Sequence, residues 1–185
     1  MQKVVLTFGI IAGIVNTILW FAFSSIWIDK DGKMDFEMGE TLGYLSMLVA
    51  LSMIFFGVRS YRDKQLGGVI SFGKAFQVGL LITLVASVIY VAGWMIYYNT
   101  SEIAQTFPEQ YLNYMMENLR KEGKPEVEIQ QQVAQMQQGM ELYKNPLVMI
   151  GMSFVEIIPV GLLISLVSAL ILKRKNLPAN KSLTV

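Results

Sequence analysis

The chain contains no cysteine and no histidine. Without cysteine there is no disulfide, no thiol nucleophile and no thiolate metal site. Without histidine the commonest general base, the commonest transition-metal ligand and the side chain that titrates near neutrality are all missing. Charge is scarce too: 16% of the 185 residues are Asp, Glu, Lys or Arg, against about 25% in an ordinary soluble domain. The net charge of +1 offers nothing to nucleic acid. No stretch outside the apolar runs is long enough to enclose a separate water-soluble core, so residues 1–185 read as one domain. No nucleophile–base pair, phosphate loop or carboxylate dyad stands out either. The sequence therefore reads as non-enzymatic, with no cofactor and no metal site.

What the chain does have is long apolar runs. Hydrophobic residues make up 54% of it, at a mean hydropathy of +0.47. Uncharged stretches of about 18 residues or more read as spanning helices, and they predict spans at 4–28, 41–58, 75–98 and 146–172. The first is far longer than the ~7–15 apolar residues of a signal peptide, so it reads as a span. The fold class predicted is all-α: a four-helix transmembrane bundle with an extracytoplasmic helical hairpin, about 99–145, between the third and fourth spans.

Basic residues orient such a bundle, because Lys and Arg concentrate in short cytoplasmic segments. Lys3, Arg59, Arg62, Lys64, Lys74, Lys173, Arg174, Lys175 and Lys181 fall on one side. Lys30, Lys33, Arg120, Lys121, Lys124 and Lys144 fall on the other, among nearly all the acids. Both termini are thus expected in the cytosol of a bacterial inner membrane. In the basic second loop, Arg59, Arg62 and Lys74 are candidates for contact with anionic lipid headgroups or a protein partner. The first loop, DKDGKMD, lacks the spacing and terminal Glu of a calcium loop and reads as a solvated turn.

The third loop carries two helical stripes. Phe107, Tyr111, Met115 and Leu119 form one, introduced by Thr106 and Glu109 at capping-box spacing. Gly123 ends it, and Ile129, Val133, Met136, Met140 and Tyr143 form the other. The stripes are expected to pack on each other or to stay open for a partner or a second copy. Small residues at four-residue spacing mark close helix approach: Gly9 and Gly13; Gly79, Thr83 and Ser87; Gly161, Ser165 and Ala169. Trp20, Trp27, Trp94, Tyr97 and Tyr98 read as interface anchors. Spans one and three align at an offset of seventy, pairing Gly9 with Gly79, which is compatible with a duplicated hairpin.

One residue is chemically out of place. Glu156 is the single charge in the last run, and Pro159 follows it. A carboxylate near mid-bilayer costs on the order of 2.5–3.5 kcal/mol, so it must face protein or water. Pro159 cannot donate to the Val155 carbonyl, so the pair forms a local polar spot and a bend. Depth counting places Trp20, Tyr44 and Tyr90 at the same level. Glu156 is expected to bond at least one of them, with Asn16 a turn deeper. Packing lock, proton or ion site, and wall of a solvated cavity are the roles open to it.

The segments YRDKQLGG, ISFGKAF and EIIPVG, within runs that cover nearly the whole chain, resemble a family of small four-helix membrane proteins of unknown function common in Bacteroidetes-type bacteria. The resemblance implies four spans and an extracytoplasmic helical insertion. It implies no activity, substrate or cofactor. The function expected is an integral membrane protein with a structural or partner-binding role. Its partners would be membrane lipids and a protein or second copy. The alternative is a small transporter or ion-coupled protein using Glu156.

Overall fold

In lipid every backbone amide must be bonded within the protein, and a long uncharged run meets that demand as a helix. A computed structural model describes residues 1–174; Lys175 and Lys181 of the basic tail lie outside the described residues. The chain runs α1 (Gln2–Trp27), α2 (Phe36–Leu51), α3 (Met53–Gln65), α4 (Phe72–Thr100), α5 (Glu102–Gln105), α6 (Phe107–Lys121), α7 (Glu126–Tyr143) and α8 (Pro146–Leu172). Four units are long and apolar enough to cross a membrane: α1, α2 with α3, α4 and α8. Large aliphatics such as Leu6, Ile10, Ile14, Leu163 and Leu170 are exposed along α1 and α8.

Polar side chains start the helices where the sequence changes character. Asp35 accepts from the Met38 amide at 3.0 Å, and Asn145 from that of Leu147 at 2.9 Å. Both satisfy amides that the first helical turn leaves unpaired. The second span is interrupted at Ser52, where the Phe55 amide bonds the Ser52 carbonyl three residues back rather than four. Pro159, by contrast, sits inside an uninterrupted α8.

The spanning helix α4 lies at the centre, packed along α1 on one side and α8 on the other. Its neighbours approach at glycines. A Cβ at Gly9 would stand 2.6 Å from Val85 Cβ, and one at Gly13 2.6 Å from Ile89 Cβ. At the other seam, a Cβ on Gly79 would meet Ser165 Oγ at 2.7 Å, and one on Gly161 would overlap Thr83 Cγ2. The small-residue faces thus point into the bundle, where close dispersion contact substitutes for the hydrophobic drive that lipid removes. Gly9 lines the α1–α4 seam and Gly79 the α4–α8 seam, so the two glycines paired by the seventy-residue offset do different jobs.

The half of the bundle around α3 is tight. Leu51, Ile54, Val58, Ile82 and Ile157 have no exposed surface. Its end is stitched by two backbone bonds between Ile70 and Arg174, at 3.0 and 2.9 Å. Of the basic candidates in this loop, Arg62 is bonded within the protein: Nη1 donates to the Leu172 carbonyl at 3.3 Å and Nε to Asp63 at 2.7 Å. A cation closes the carbonyl end of α8, where the helix dipole favours it. Arg59 stays exposed beside Asp63 at 3.7 Å, and Lys74 donates to Gln77 at 3.1 Å.

Between α4 and α8 the chain forms the helical hairpin α6–α7. Gly123, at φ 74°, turns it, and the Lys124 amide bonds back to the Leu119 carbonyl at 3.2 Å. That closure needs a left-handed residue, the conformation glycine adopts without strain. The capping box at Thr106 does not form. Short α5 runs straight into α6, Thr106 is already helical, and its hydroxyl donates to the Ile103 carbonyl at 2.7 Å.

Candidate functional site: an aromatic hollow at Glu156

The other half of the bundle is open. While α3 packs closely against α8, α2 touches it only sparsely, so the helices part beyond Ser52. The hairpin lies across the gap. Between them is a hollow of about 720 Å³, within the 300–1,000 Å³ range of small-molecule sites.

Only part of the hairpin packs on itself. Leu119, Ile129 and Val133, with Met116, make its small core. Phe107, Tyr111, Tyr114, Met115, Met140 and Tyr143 instead line the hollow. The rings join across elements. Phe36 of α2 stands 5.5 Å from Phe107, 5.4 Å from Tyr111 and 5.3 Å from Tyr114, centroid to centroid. Trp20 of α1 stands 5.9 Å from Trp27 and 5.5 Å from Trp94 of α4, and Trp94 6.0 Å from Phe107. Most of these contacts are edge-to-face, the arrangement ring quadrupoles favour. The tryptophans read as interface anchors thus form an inner wall. Trp27 is 7% exposed and lies against Gly39.

Two hydrogen-bonded contacts hold the hairpin in place. Gln110 Oε1 accepts from the Met34 amide, and its Nε2 donates to the Gly32 carbonyl and Thr106 Oγ1, all at 2.9 Å. Trp94 Nε1 donates to Tyr143 Oη at 2.7 Å. Replacing Gln110 by Ala strands the Met34 amide, which is part-buried. The loss is about 2 kcal/mol, roughly a thirty-fold rise in local opening. Hydrogen exchange over 107–143 is expected to speed up accordingly while α4 and α8 stay protected. Burial pushes the Tyr143 phenol from 10.0 up to about 12. Because its folded value lies above the unfolded one, its contribution is complete below pH 10 and is lost as pH rises towards 12. Tyr143→Phe is expected to remove that alkaline step from hairpin protection.

Glu156 forms part of the wall. Tyr90 Oη donates to Glu156 Oε2 at 3.2 Å, and Tyr90 is 8% exposed. Of the three partners expected from depth, Tyr90 makes the bond. Tyr44 and Trp20 line the same hollow without a hydrogen bond to the carboxyl. Glu156 is an exposed residue on the wall of the hollow, tied to α4 by the Tyr90 hydroxyl. Pro159 lies one turn further on, with an exposed side chain. Asn16 also lines the hollow. It is 2% exposed, and its Nδ2 has no hydrogen-bond partner among the described residues. Glu40, counted from sequence among the solvated acids of the first loop, reaches the same space. An acid one turn into an apolar helix, with Gly43 and Tyr44 beside it, was the available signal. Among the described residues no cluster of acids could hold a metal, and the DKDGKMD loop folds as a turn in which Asp29 accepts from the Asp31 and Lys33 amides.

Four apolar helices around a hooded aromatic hollow define an all-α protein of membrane-spanning character. The chain belongs to the family described as "Protein of unknown function (DUF4199)", which it matches over residues 7–174. No curated protein and no solved structure matches it.

Proposed function

We propose that this is a non-enzymatic protein of the bacterial inner membrane that binds a lipophilic molecule in the hollow. Both termini lie in the cytosol in this reading, and the hairpin lies outside. The distribution of Lys and Arg supports the orientation. The observation that carries the binding role is the hollow itself: about 720 Å³, ringed by aromatic side chains and open between α2 and α8. A packing scaffold would have closed that space, because protein interiors leave few voids larger than a water molecule. Entry from the bilayer between the parted helices suits a ligand that is already dissolved in lipid.

The experiment uses the chain's own tryptophans. It has three, and all of them line the hollow. Titration of the purified protein in dodecyl maltoside with the neutral dye N-phenyl-1-naphthylamine, and with tetraphenylphosphonium, is expected to quench their fluorescence saturably. Quenching that grows linearly with both probes, as for free tryptophan in the same micelles, would sink the reading.

A carrier role is the second reading. One observation favours it: an acid inside the last spanning helix, Glu156, lines the hollow, while the bundle around α3 is tight. Uptake into proteoliposomes that depends on a pH gradient and disappears in Glu156→Gln would establish it.

A further inference from the structure

The walls of the hollow are chemically lopsided. Among the described residues, ten of the lining side chains are aromatic, two are carboxylates, and none is Lys or Arg. The carboxylates are Glu156 on α8 and Glu40 on α2, and both line the same hollow. Neither forms an ion pair among the described residues. Tyr90 donates to Glu156, so the carboxyl serves there as an acceptor, as it would towards a cation. The aromatic faces add to the same potential, because a ring's face is its negative side. A cation over such faces gains about 0.5–1 kcal/mol per exposed ring and more where water is excluded. Such a lining of acids and ring faces repels anions and favours a cation over a neutral ligand of the same shape.

Asn16 supplies an independent observation. The residue lines the hollow, and its buried Nδ2 has no acceptor among the described residues. A buried donor without a partner costs about 1–3 kcal/mol. A ligand that brings an oxygen to it would recover that loss.

We propose that the ligand is an amphiphilic organic cation. Its substituted ammonium or other onium centre sits between the ring faces and the Glu156 and Glu40 carboxylates. An acceptor oxygen near the centre meets Asn16. Its apolar body lies along Met115, Met140 and Met152, whose flexible thioethers adapt to shape. This inference rests on the binding role proposed above and adds the sign of the charge. An aminophospholipid headgroup and a free lipophilic amine share this chemistry.

The test compares two ions of the same shape and opposite charge. Tetraphenylphosphonium is expected to quench the tryptophans saturably in dodecyl maltoside. Tetraphenylborate is expected to bind about tenfold more weakly or not at all. Glu156→Gln is expected to weaken the phosphonium about tenfold, with Glu40→Gln in the same direction. Glu40 lies on an exposed turn of α2, so its variant carries the test if Glu156→Gln does not fold. Equal or tighter binding of the borate overturns the inference. So does phosphonium binding unchanged in both folded variants. Saturable binding of the neutral dye alone would overturn the cation but keep the binding role; no saturable binding by any probe would overturn both. Displacement of the phosphonium by phosphatidylethanolamine but not by phosphatidylglycerol identifies a lipid headgroup as the source. Displacement by neither identifies a free amine.

Discussion

Gly161→Ala is expected to remove most of the folded protein. The new Cβ would overlap Thr83 Cγ2 and stand 2.7 Å from Thr83 Oγ1. Thr83 cannot retreat easily. It is 1% exposed, and its hydroxyl is tied to the Gly79 carbonyl at 3.0 Å. The collision lies on the α4–α8 seam, which a separation of the helices would have to open along its length. Overpacking of this kind costs about 3 kcal/mol, a large share of the 5–15 kcal/mol that holds a domain folded. Thermal unfolding in detergent, followed by size-exclusion chromatography, measures it. The cause is checked by a double variant. Thr83→Ala removes the colliding methyl and hydroxyl, so Gly161→Ala with Thr83→Ala is expected to recover at least half of the loss. The coupling between the two changes would be of the size that touching residues show. Additive losses would mean that the glycine serves something other than close approach.

Gly43→Phe is expected to do the opposite to the fold and to abolish binding. Gly43 lines the hollow, and a Cβ there meets nothing within 4 Å. A phenyl ring can therefore grow into the space without displacing a neighbour. Replacing a helical glycine also stabilises the helix by a few tenths of a kcal/mol. Midpoint temperature is thus expected to hold or rise slightly, while saturable tryptophan quenching by either probe disappears. Full binding in a folded Gly43→Phe protein would move the ligand elsewhere. The pairing of the two glycines matters because their sequence contexts look alike, yet one has no room for a methyl group and the other has room for a ring.

That contrast also marks how much could be read from the residues alone. Spans were legible because lipid admits few backbone solutions, and a run of uncharged residues has to be a helix. The Tyr90–Glu156 contact was legible for the same reason: helices crossing one slab share a depth scale, so counting residues locates partners. The seams were legible from Gly9, Gly13, Gly79 and Gly161, because small residues at one period have few other uses in lipid. The hollow was not. Periodicity marks the apolar face of α6 but not what that face meets, and Phe107, Tyr111 and Tyr114 serve a cavity as readily as a hairpin core. Trp20, Trp27 and Trp94 sit at the depth of interface anchors, and depth alone does not tell lipid from an inner wall. Glu40 was hidden by its neighbours in a loop rich in acids. Arg62 counted as a topological charge although its work is to close a helix end. Thr106 had the right spacing for a cap and the wrong backbone, a distinction fixed by where α5 stops.

The interruption at Ser52 has a mechanical side. Below it α3 is packed among α1, α4 and α8; above it α2 rests mainly on α1, with its tip against the rings of α6. The sixteen residues of α2 form an arm about 24 Å long, so a swing of ~10° about Ser52 carries its tip, Phe36, sideways by roughly 4 Å. Stretching or thinning of the surrounding bilayer acts on that tip through tilt. In the binding role proposed above, such a swing would change the aperture of the hollow, and affinity would then follow the strain of the surrounding bilayer.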